Sequence, residues 1–131
     1  MNTSCINKVM LVGHLGKDPE LRYIECNVAV VSFPLATTEY WAKNGVKTEH
    51  IEWHNIVMWR GTAESAAEVL KKGELVYLEG KIKTHHFEEK TGIKKYITEV
   101  VADKFILLGK SSNVERVMPV KADYEINYKH G

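Results

Sequence analysis

The sequence predicts an all-β domain with one helix, in the order β-β-β-α-β-β. Apolar residues recur mainly with the period of two that is typical of strands, and not with the period of 3.6 that is typical of helices. Only residues 62–72 interrupt this alternation, with a run of residues that favour a helix. At 131 residues the chain has room for one domain and a short tail, and we place these at residues 1–110 and 111–131.

Three strands are predicted before the helix. The first, residues 6–15, is rich in β-branched residues and ends at the turn sequence GKDP. The second, residues 28–39, contains Pro34, which has no backbone N–H to donate and therefore favours a place near a sheet edge or a bulge. An Asn-Gly pair in the polar segment 42–47 is typical of a tight hairpin turn, and the third strand follows over residues 48–60.

The helix is predicted over residues 62–72. Thr62 is a residue type that caps helix N-termini, and the following sequence AESAAEVLKK contains mostly good helix formers. Lys71 and Lys72 suit the negative end of the helix dipole, and Gly73 is a common helix terminator. These signals place the end of the helix at residue 72.

Two more strands are predicted after the helix, over residues 74–89 and 93–102, and the apolar run FILL at residues 105–108 extends the last one. Few small folds place a single helix between the third and fourth strands of a five-stranded meander. The oligonucleotide/oligosaccharide-binding fold (OB-fold), a five-stranded Greek-key barrel, does so. We therefore predict an OB-fold. A small β-sandwich is the alternative, and it leaves the helix unexplained.

Composition excludes several classes of protein. The 18 basic and 17 acidic residues give a net charge of +1, which excludes a polybasic tail protein and a strongly acidic one, but permits a locally basic face. No apolar run approaches the roughly 18–20 residues that a membrane helix needs. The N-terminus lacks the pattern of a secretory signal, and Cys5 and Cys26 cannot form a disulfide framework. We therefore predict a cytoplasmic protein that does not enter a membrane.

No pattern of residues indicates an enzyme. The segment GHLGKD lacks the spacing and the Ser or Thr of a phosphate-binding loop. The six histidines have no metal-ligand spacing, and no Ser or Cys has a recognisable base nearby in the sequence. We predict no catalytic residue, no metal and no cofactor.

Aromatic residues and lysines indicate a binding function instead. Trp41, Trp53 and Trp59 lie in or beside the second and third strands, and Phe87 lies in the polar segment THHFEEKTG. Tryptophans at alternating strand positions usually belong to a core, and lysines such as Lys83 on a hairpin usually protect a sheet edge. Aromatics near polar turns have little core to fill, however, and in combination with cations they meet the needs of single-stranded nucleic acid. Its bases stack on rings and its phosphates attract cations.

Three segments carry a resemblance to a known family: GHLGKDPELRY, the tripeptide EWH, and KKGELVYLEG before a hairpin. With them, the chain resembles the bacterial single-stranded DNA-binding proteins over nearly all of residues 7–108. These are homotetrameric OB-fold proteins of DNA replication, recombination and repair, and they are not enzymes. The resemblance implies the following base-stacking residues: Trp41, Trp53, Trp59 and Phe87. It implies the following phosphate contacts: Lys8, Arg22, Lys72 and Lys83. It implies the following oligomer-interface residues: His54, Leu75, Tyr77 and Glu79.

The sequence departs from the family pattern at several places. Trp59 stands where the family commonly has Phe, and Phe87 where it commonly has Trp, so both positions stay aromatic. His85 and His86 replace positions that are often Arg or Lys, and we therefore expect binding to strengthen below about pH 6.5. The resemblance also implies recruitment of replication and repair proteins by an acidic C-terminal tip, but this sequence ends in YEINYKHG, which puts that recruitment in doubt.

One alternative function follows from the same fold. An OB-fold accessory factor of the primosome type would mainly dock on other replication proteins, and it would bind nucleic acid weakly. Such a module need not keep aromatic residues at all four stacking positions, so the sequence favours single-stranded DNA as the partner.

Overall fold

Five strands close into a barrel in the computed structural model of this chain, which describes residues 4–110. In chain order the elements are β1 (Val9–Leu15), β2 (Glu20–Ile24), β3 (Val28–Lys43), β4 (Val46–Trp59), α1 (Arg60–Val69), β5 (Leu75–Glu88) and β6 (Lys94–Gly109). A single 3₁₀ turn over Glu25–Asn27 joins β2 to β3. The predicted tail, residues 111–131, lies outside the described residues.

Strand β1 closes the barrel. It pairs along its length with β5 and at its C-terminal end with β3, where His14 lies opposite Ala36 and Leu15 opposite Leu35. The β3–β4 and β5–β6 pairs are antiparallel, whereas the short contact between β4 and β6 is parallel. With α1 between β4 and β5, this order is that of the predicted OB-fold barrel, and the fold prediction is confirmed.

The prediction of five strands missed β2, a sixth strand. Its five residues, ELRYI, are all exposed, and it pairs with the first residues of β3 at the edge of the sheet. Such a strand buries no face of its own, so it lacks the alternation by which the other strands were found. The pairing with β3 holds it in place.

The predicted bounds of the helix were wrong at both ends. Helix α1 begins at Arg60 and ends at Val69, so Thr62 lies inside the first turn and not at the cap. The capping position is Trp59, which makes no side-chain capping hydrogen bond. Leu70 already has an extended backbone and is 1% exposed, because it turns into the core. Burial of Leu70 therefore ends the helix before the two lysines and the glycine that suggested its end.

The core lies inside the barrel, and α1 contributes to it. Strand side chains meet Ala63 and Ala66 of the helix in one cluster of buried residues. The largest fully buried side chains are Leu35, Ile56, Met58, Leu70, Leu78, Val31 and Val76. Because Ile56 and Met58 point inward, the odd-numbered residues of β4 point to the outer face of the barrel.

Pro34 lies in an inner strand, not at the sheet edge or bulge that was predicted, but it faces a gap in the pairing of β3 where no N–H is needed. On one side β3 pairs with β4, and on the other it pairs first with β2 and then with β1. The carbonyl oxygen of Pro34 accepts a hydrogen bond from the N–H of Gly16, at 2.9 Å. Since the N and O of one strand residue point the same way, the nitrogen of Pro34 also faces the connection from β1 to β2, which is not a paired strand.

Two hairpins extend beyond the barrel. The β3–β4 hairpin turns at Asn44 and Gly45, as predicted from this pair, and both residues have the positive φ that a type I′ turn requires. The β5–β6 hairpin extends past the end of the short parallel contact, which spans only Ile56 and Val57 of β4. Strand β6 continues through a bulge opposite Gly80 and includes the apolar run FILL, as predicted.

The α-helix of the described part of the chain, α1, is ten residues long. No helix among residues 4–110 is long and apolar enough to cross a membrane.

Candidate nucleic-acid interface

Arg22 and Trp59 lie in one row across three strands, on the outer face of the barrel. Arg22 of β2 is opposite Val30 of β3, and Val30 is opposite Trp59 of β4. Directly opposite residues of neighbouring strands point to the same face. Trp59 keeps 41% of its surface exposed, although it borders the barrel wall. The row therefore presents a guanidinium and an accessible indole on the same surface.

The outer face continues through β6 to β5. Val57 of β4 lies opposite Val101 in the parallel contact, and Val101 lies opposite Lys81 of β5. Lys83 follows two residues later on the same face of β5, and both lysines are exposed. The predicted phosphate contact Lys83 therefore shares the outer face with the row of Arg22 and Trp59, and Lys81 adds a cation that was not predicted as a contact.

Trp53 lies on this outer face, and its ring packs against Gly16, which has no side chain. A Cβ atom on Gly16 would come within 2.6 Å of Cζ3 of Trp53 and within 3.2 Å of Cγ of Pro34. The indole therefore occupies the space that a side chain at residue 16 would take. Trp53 is nevertheless 57% exposed, so it is held in place on one side and open to solvent on the other, as a stacking surface must be.

We expect Gly16→Ala to displace the indole of Trp53, because the new methyl group overlaps its ring. In a chain with Trp41 and Trp59 replaced by Phe, the remaining fluorescence comes from Trp53. Acrylamide quenching should increase and the emission maximum should move to longer wavelength. Gly61→Ala is the control, because no atom lies within 4 Å of a Cβ there. Unchanged quenching in Gly16→Ala would show that the ring does not rest on Gly16.

Trp41 lies on the opposite face of the β3–β4 hairpin from Trp53. It follows Phe33 and Leu35 with the same alternation, and those two residues point into the core. Trp41 is 41% exposed, and its ring lies 6.0 Å from the ring of His50 at an angle of 33°. The predicted stacking residues therefore do not form one flat surface. A single nucleic-acid strand that contacts both Trp41 and Trp53 must pass round the hairpin.

Phe87 lies near the end of the β5–β6 hairpin and is 44% exposed. It shares the outer face of β5 with Lys83 and His85, as the alternation predicts. Nε2 of His85 lies 2.9 Å from Oε1 of Glu99, a carboxylate on β6 that the sequence did not single out. Stronger binding below about pH 6.5 stays a prediction.

Lys72, another predicted phosphate contact, is an exposed residue of the loop between α1 and β5. Its backbone N–H donates to Oδ1 of Asp18 at 2.8 Å, which ties this loop to the connection between β1 and β2. The N–H of Gly73 donates to the carbonyl of Leu15 at 2.8 Å and strengthens the same tie. The backbone at Lys72 is therefore fixed, while its side chain remains exposed.

Lys8 is not brought together with the stacking residues. Its Nζ lies 2.8 Å from Oε1 of Glu79, and the hydroxyl of Tyr77 donates to Oε2 of the same carboxylate. The hydrogen bonds from Lys8 and Tyr77 hold the pKa of Glu79 below its ordinary value, and the bond to Glu79 raises the pKa of Lys8. Lys8 therefore joins two of the predicted interface residues, and the charge on its ammonium is already offset.

These residues border an exposed apolar surface, which we call the apolar patch. Val12 and Met10 of β1 lie opposite Tyr77 and Glu79 of β5, and Tyr77 lies opposite Ile106 of β6. The exposed apolar members of the patch are Met10, Val12, Ile106 and Leu108, each at least 49% exposed, with Leu75 and Tyr77 half-buried between them.

His54, the fourth predicted interface residue, is separate from the apolar patch. Its Nε2 lies 2.9 Å from Oγ1 of Thr37, across the β3–β4 hairpin. It lines a cleft with Val9 and Leu11, which lie on the face of β1 opposite to the one that carries the patch. The described residues thus place the predicted interface residues on two surfaces.

Residues 6–108 match the single-strand binding protein family. The chain belongs to this family. It is 43% identical over 120 residues to single-stranded DNA-binding proteins of two Neisseria meningitidis strains. The aligned residues cover 91% of this chain and 69% of theirs. It is 39% identical over 114 residues to single-stranded DNA-binding protein 1 of Xylella fastidiosa, with 86% and 84% covered.

A solved structure agrees with this assignment to the single-strand binding protein family. The Plasmodium falciparum SSB in complex with ssDNA matches with a TM-score of 0.74 and 30% sequence identity, over 82% of this chain and 99% of that one. Membership of the single-strand binding protein family confirms the prediction that the chain is not an enzyme. Among residues 4–110, no group of three or more His, Cys, Asp or Glu side chains is placed to hold a metal ion.

Two residues that shape the outer face of the barrel could not be predicted from the sequence. The sequence marks Gly16 only as a turn residue, yet its missing side chain makes room for Trp53. Nothing in the sequence marks Glu99, yet it pairs with His85. Neither carries a signal in a single sequence, because each acts through a residue that is distant along the chain.

Proposed function

We propose that this chain binds single-stranded DNA without reading its sequence, and covers exposed strands during DNA replication, recombination and repair. The observation that carries the proposal is that four large aromatic side chains on two hairpins and the barrel wall stay 41–57% exposed. Large aromatic side chains dominate protein cores and bury much of their surface there, so four left open indicate a ligand with flat faces. The relatives named as single-stranded DNA-binding proteins support the same ligand.

Binding would combine stacking with a few local charges. Each base stacked on an aromatic ring contributes roughly 1–3 kcal/mol without regard to base identity. Arg22, Lys72 and Lys83 would contact phosphates, with Lys81 beside them on the outer face. Since the net charge of the whole chain is only +1, a general attraction for nucleic acid is weak, and stacking supplies most of the affinity. A duplex has no free base faces and would bind poorly.

The direct test is a titration of intrinsic tryptophan fluorescence with oligo(dT). We expect strong quenching with single-stranded oligo(dT) and little with a duplex of equal length. Affinity should fall as salt rises, with a shallow slope that reflects few phosphate contacts. No quenching at low salt, or equal quenching by duplex DNA, would contradict the proposal.

We also infer that the chain assembles as a homo-oligomer, with a tetramer as the expected state. The apolar patch is one candidate interface, since contiguous exposed apolar surfaces usually mark contacts between proteins. The free side of β1 is a second, because Val9–Gly13 pair only with β5 among the described strands and so leave a strand edge open. Two separate self-complementary surfaces are what a tetramer with two kinds of two-fold interface requires.

Ile106→Glu is expected to lower the oligomeric state, because it places a charge at the centre of a contact between two apolar patches. Ile106 is 58% exposed in the single chain, so the substitution should leave the barrel folded. Mass measured by light scattering should fall from that of a tetramer to that of a dimer or monomer. Val46→Glu is the control, because Val46 is 64% exposed but lies at the end of the β3–β4 hairpin. An unchanged mass for Ile106→Glu would exclude the patch as an interface.

We place this activity in the cytoplasm. Both cysteines, Cys5 and Cys26, are exposed and unpaired, as is usual in a reducing compartment. The DNA that the chain would cover is in the same compartment in bacteria.

A further inference from the structure

The β5–β6 hairpin carries aromatic rings on both of its faces. Phe87 points to the outer face, so its neighbour His86 points to the other one. His86 lies opposite Tyr96 of β6, and Tyr96 therefore shares that second face. Tyr96 is 65% exposed, which is more than any of the four proposed stacking residues.

The Tyr96 ring is held in place although it is not buried. The rings of His86 and Tyr96 meet edge to face, with centroids 5.1 Å apart and planes at 87°. This geometry is favourable for aromatic pairs and restrains the orientation of both rings. Closer to the barrel, the hydroxyls of Thr84 and Thr98 lie 3.2 Å apart and join the two strands on the same face. The exposed face of the Tyr96 ring therefore lies on a hairpin whose two strands are joined by side-chain contacts.

Tyr96 and Phe87 meet at one concavity. A cavity of about 380 Å³, open to solvent, is lined by His86, Phe87, Glu88, Lys94 and Tyr96. Its volume falls in the range of sites that hold small organic ligands. Glu88 lies opposite Lys94 in the register, so the charges of these two side chains offset each other. A ligand here is held by its flat surface and not by its charge.

We propose that Tyr96, supported by His86, is a further base-stacking site for the same single strand that contacts Phe87. The DNA strand crosses from the outer face of the hairpin to the second face at the shared cavity, and one more of its bases stacks on Tyr96. This inference rests on the proposed function, and it adds a contact to the four that the family resemblance implies. It also follows that the hairpin binds the strand from both faces.

The test compares Tyr96→Leu with Tyr96→Phe in the full chain. We expect Tyr96→Phe to bind a 70-nucleotide oligo(dT) as the unmodified chain does, because the ring is kept. Tyr96→Leu should bind about tenfold more weakly, in the range expected for the loss of one stacked base. The slope of log affinity against log salt should not change, because the site has no net charge. All three tryptophans remain, so the same fluorescence titration serves for every variant.

Tyr23→Leu is the matched control. Tyr23 is 55% exposed on β2, where its hydroxyl donates to Oε2 of Glu64 and not to the hairpin. Its substitution should change the affinity by less than twofold. Photocrosslinking of the unmodified chain to an oligonucleotide with 5-iodouracil, followed by peptide mass spectrometry, tests the contact without any substitution and should identify Tyr96.

Two results would overturn the inference: wild-type affinity in a folded Tyr96→Leu, or the absence of a Tyr96 crosslink when Phe87 or a tryptophan is crosslinked. A steeper or shallower salt slope in Tyr96→Leu would also contradict it, since the loss would then be electrostatic. If the unmodified chain fails to bind oligo(dT) at all, the proposed function itself fails, and the two failures are distinguishable.

Discussion

Replacing both Trp53 and Trp59 with alanine is expected to lower the affinity for oligo(dT) by about 1.5 to 4 orders of magnitude. Each stacked base contributes roughly 1–3 kcal/mol, and tenfold in affinity corresponds to about 1.4 kcal/mol. Both indoles lie on the outer face of β4. Trp53 packs against Gly16, and Trp59 lies in the same row as Arg22. They present the largest aromatic surface on the barrel wall, so the effect should exceed that of any single lysine.

The measurement is a competition titration with a fluorescent oligo(dT), because the variant has lost two of its three tryptophans. Trp53→Phe with Trp59→Phe should keep most of the affinity, since the rings remain. A control with Leu21→Ala and Val46→Ala removes exposed apolar surface elsewhere and should bind normally. A loss of less than threefold in the folded double alanine variant would show that these indoles do not hold the bases.

Gly80→Ala is expected to destabilise the barrel by about 3 kcal/mol or more, or to prevent folding. A Cβ at this position would lie 2.1 Å from the carbonyl oxygen of Val101 and 2.6 Å from Cα of Ala102. Both are backbone atoms of β6, so relief requires the two strands to move apart at the bulge. Overpacking that shifts backbone in a well-packed interior costs typically 1–3 kcal/mol, occasionally more.

Urea unfolding followed by far-ultraviolet circular dichroism would measure this effect. Gly61→Ala is the matched control, because no atom lies within 4 Å of its Cβ and it sits in the first turn of α1. Alanine favours a helix over glycine by up to about 1 kcal/mol, so this variant should be equal or more stable. A midpoint for Gly80→Ala close to that of the unmodified chain would mean that β5 and β6 are not held this closely.

Long elements with a buried face were predictable from the sequence. The strand that became β4 was predicted at residues 48–60 and observed at Val46–Trp59, because its inward residues Ile56 and Met58 alternate with outward ones. The Asn44-Gly45 turn was also predictable, since few other residue pairs adopt two positive φ angles at low cost. In both cases the determining interactions are local.

Elements that depend on distant partners were not predictable. Strand β2 exists because β3 offers it a pairing edge, and α1 ends early because Leu70 enters the core. The same holds for the site. The aromatic residues were found from the sequence, but the pairing of Lys8 with Glu79 and of His85 with Glu99 joins strands that are far apart in the chain or lie across a hairpin.

The sequence by itself determined that this protein is a β-barrel with one helix and which aromatic residues are candidates for stacking. Alternation, turn residues and residue type are local properties, and a single sequence displays them directly. Only the tertiary structure decided how those aromatics are distributed over the faces of the barrel and hairpins. It also placed Lys8 with the apolar patch and Tyr96 beside Phe87. Those outcomes depend on strand register and on barrel closure, which bring together residues that no local pattern connects.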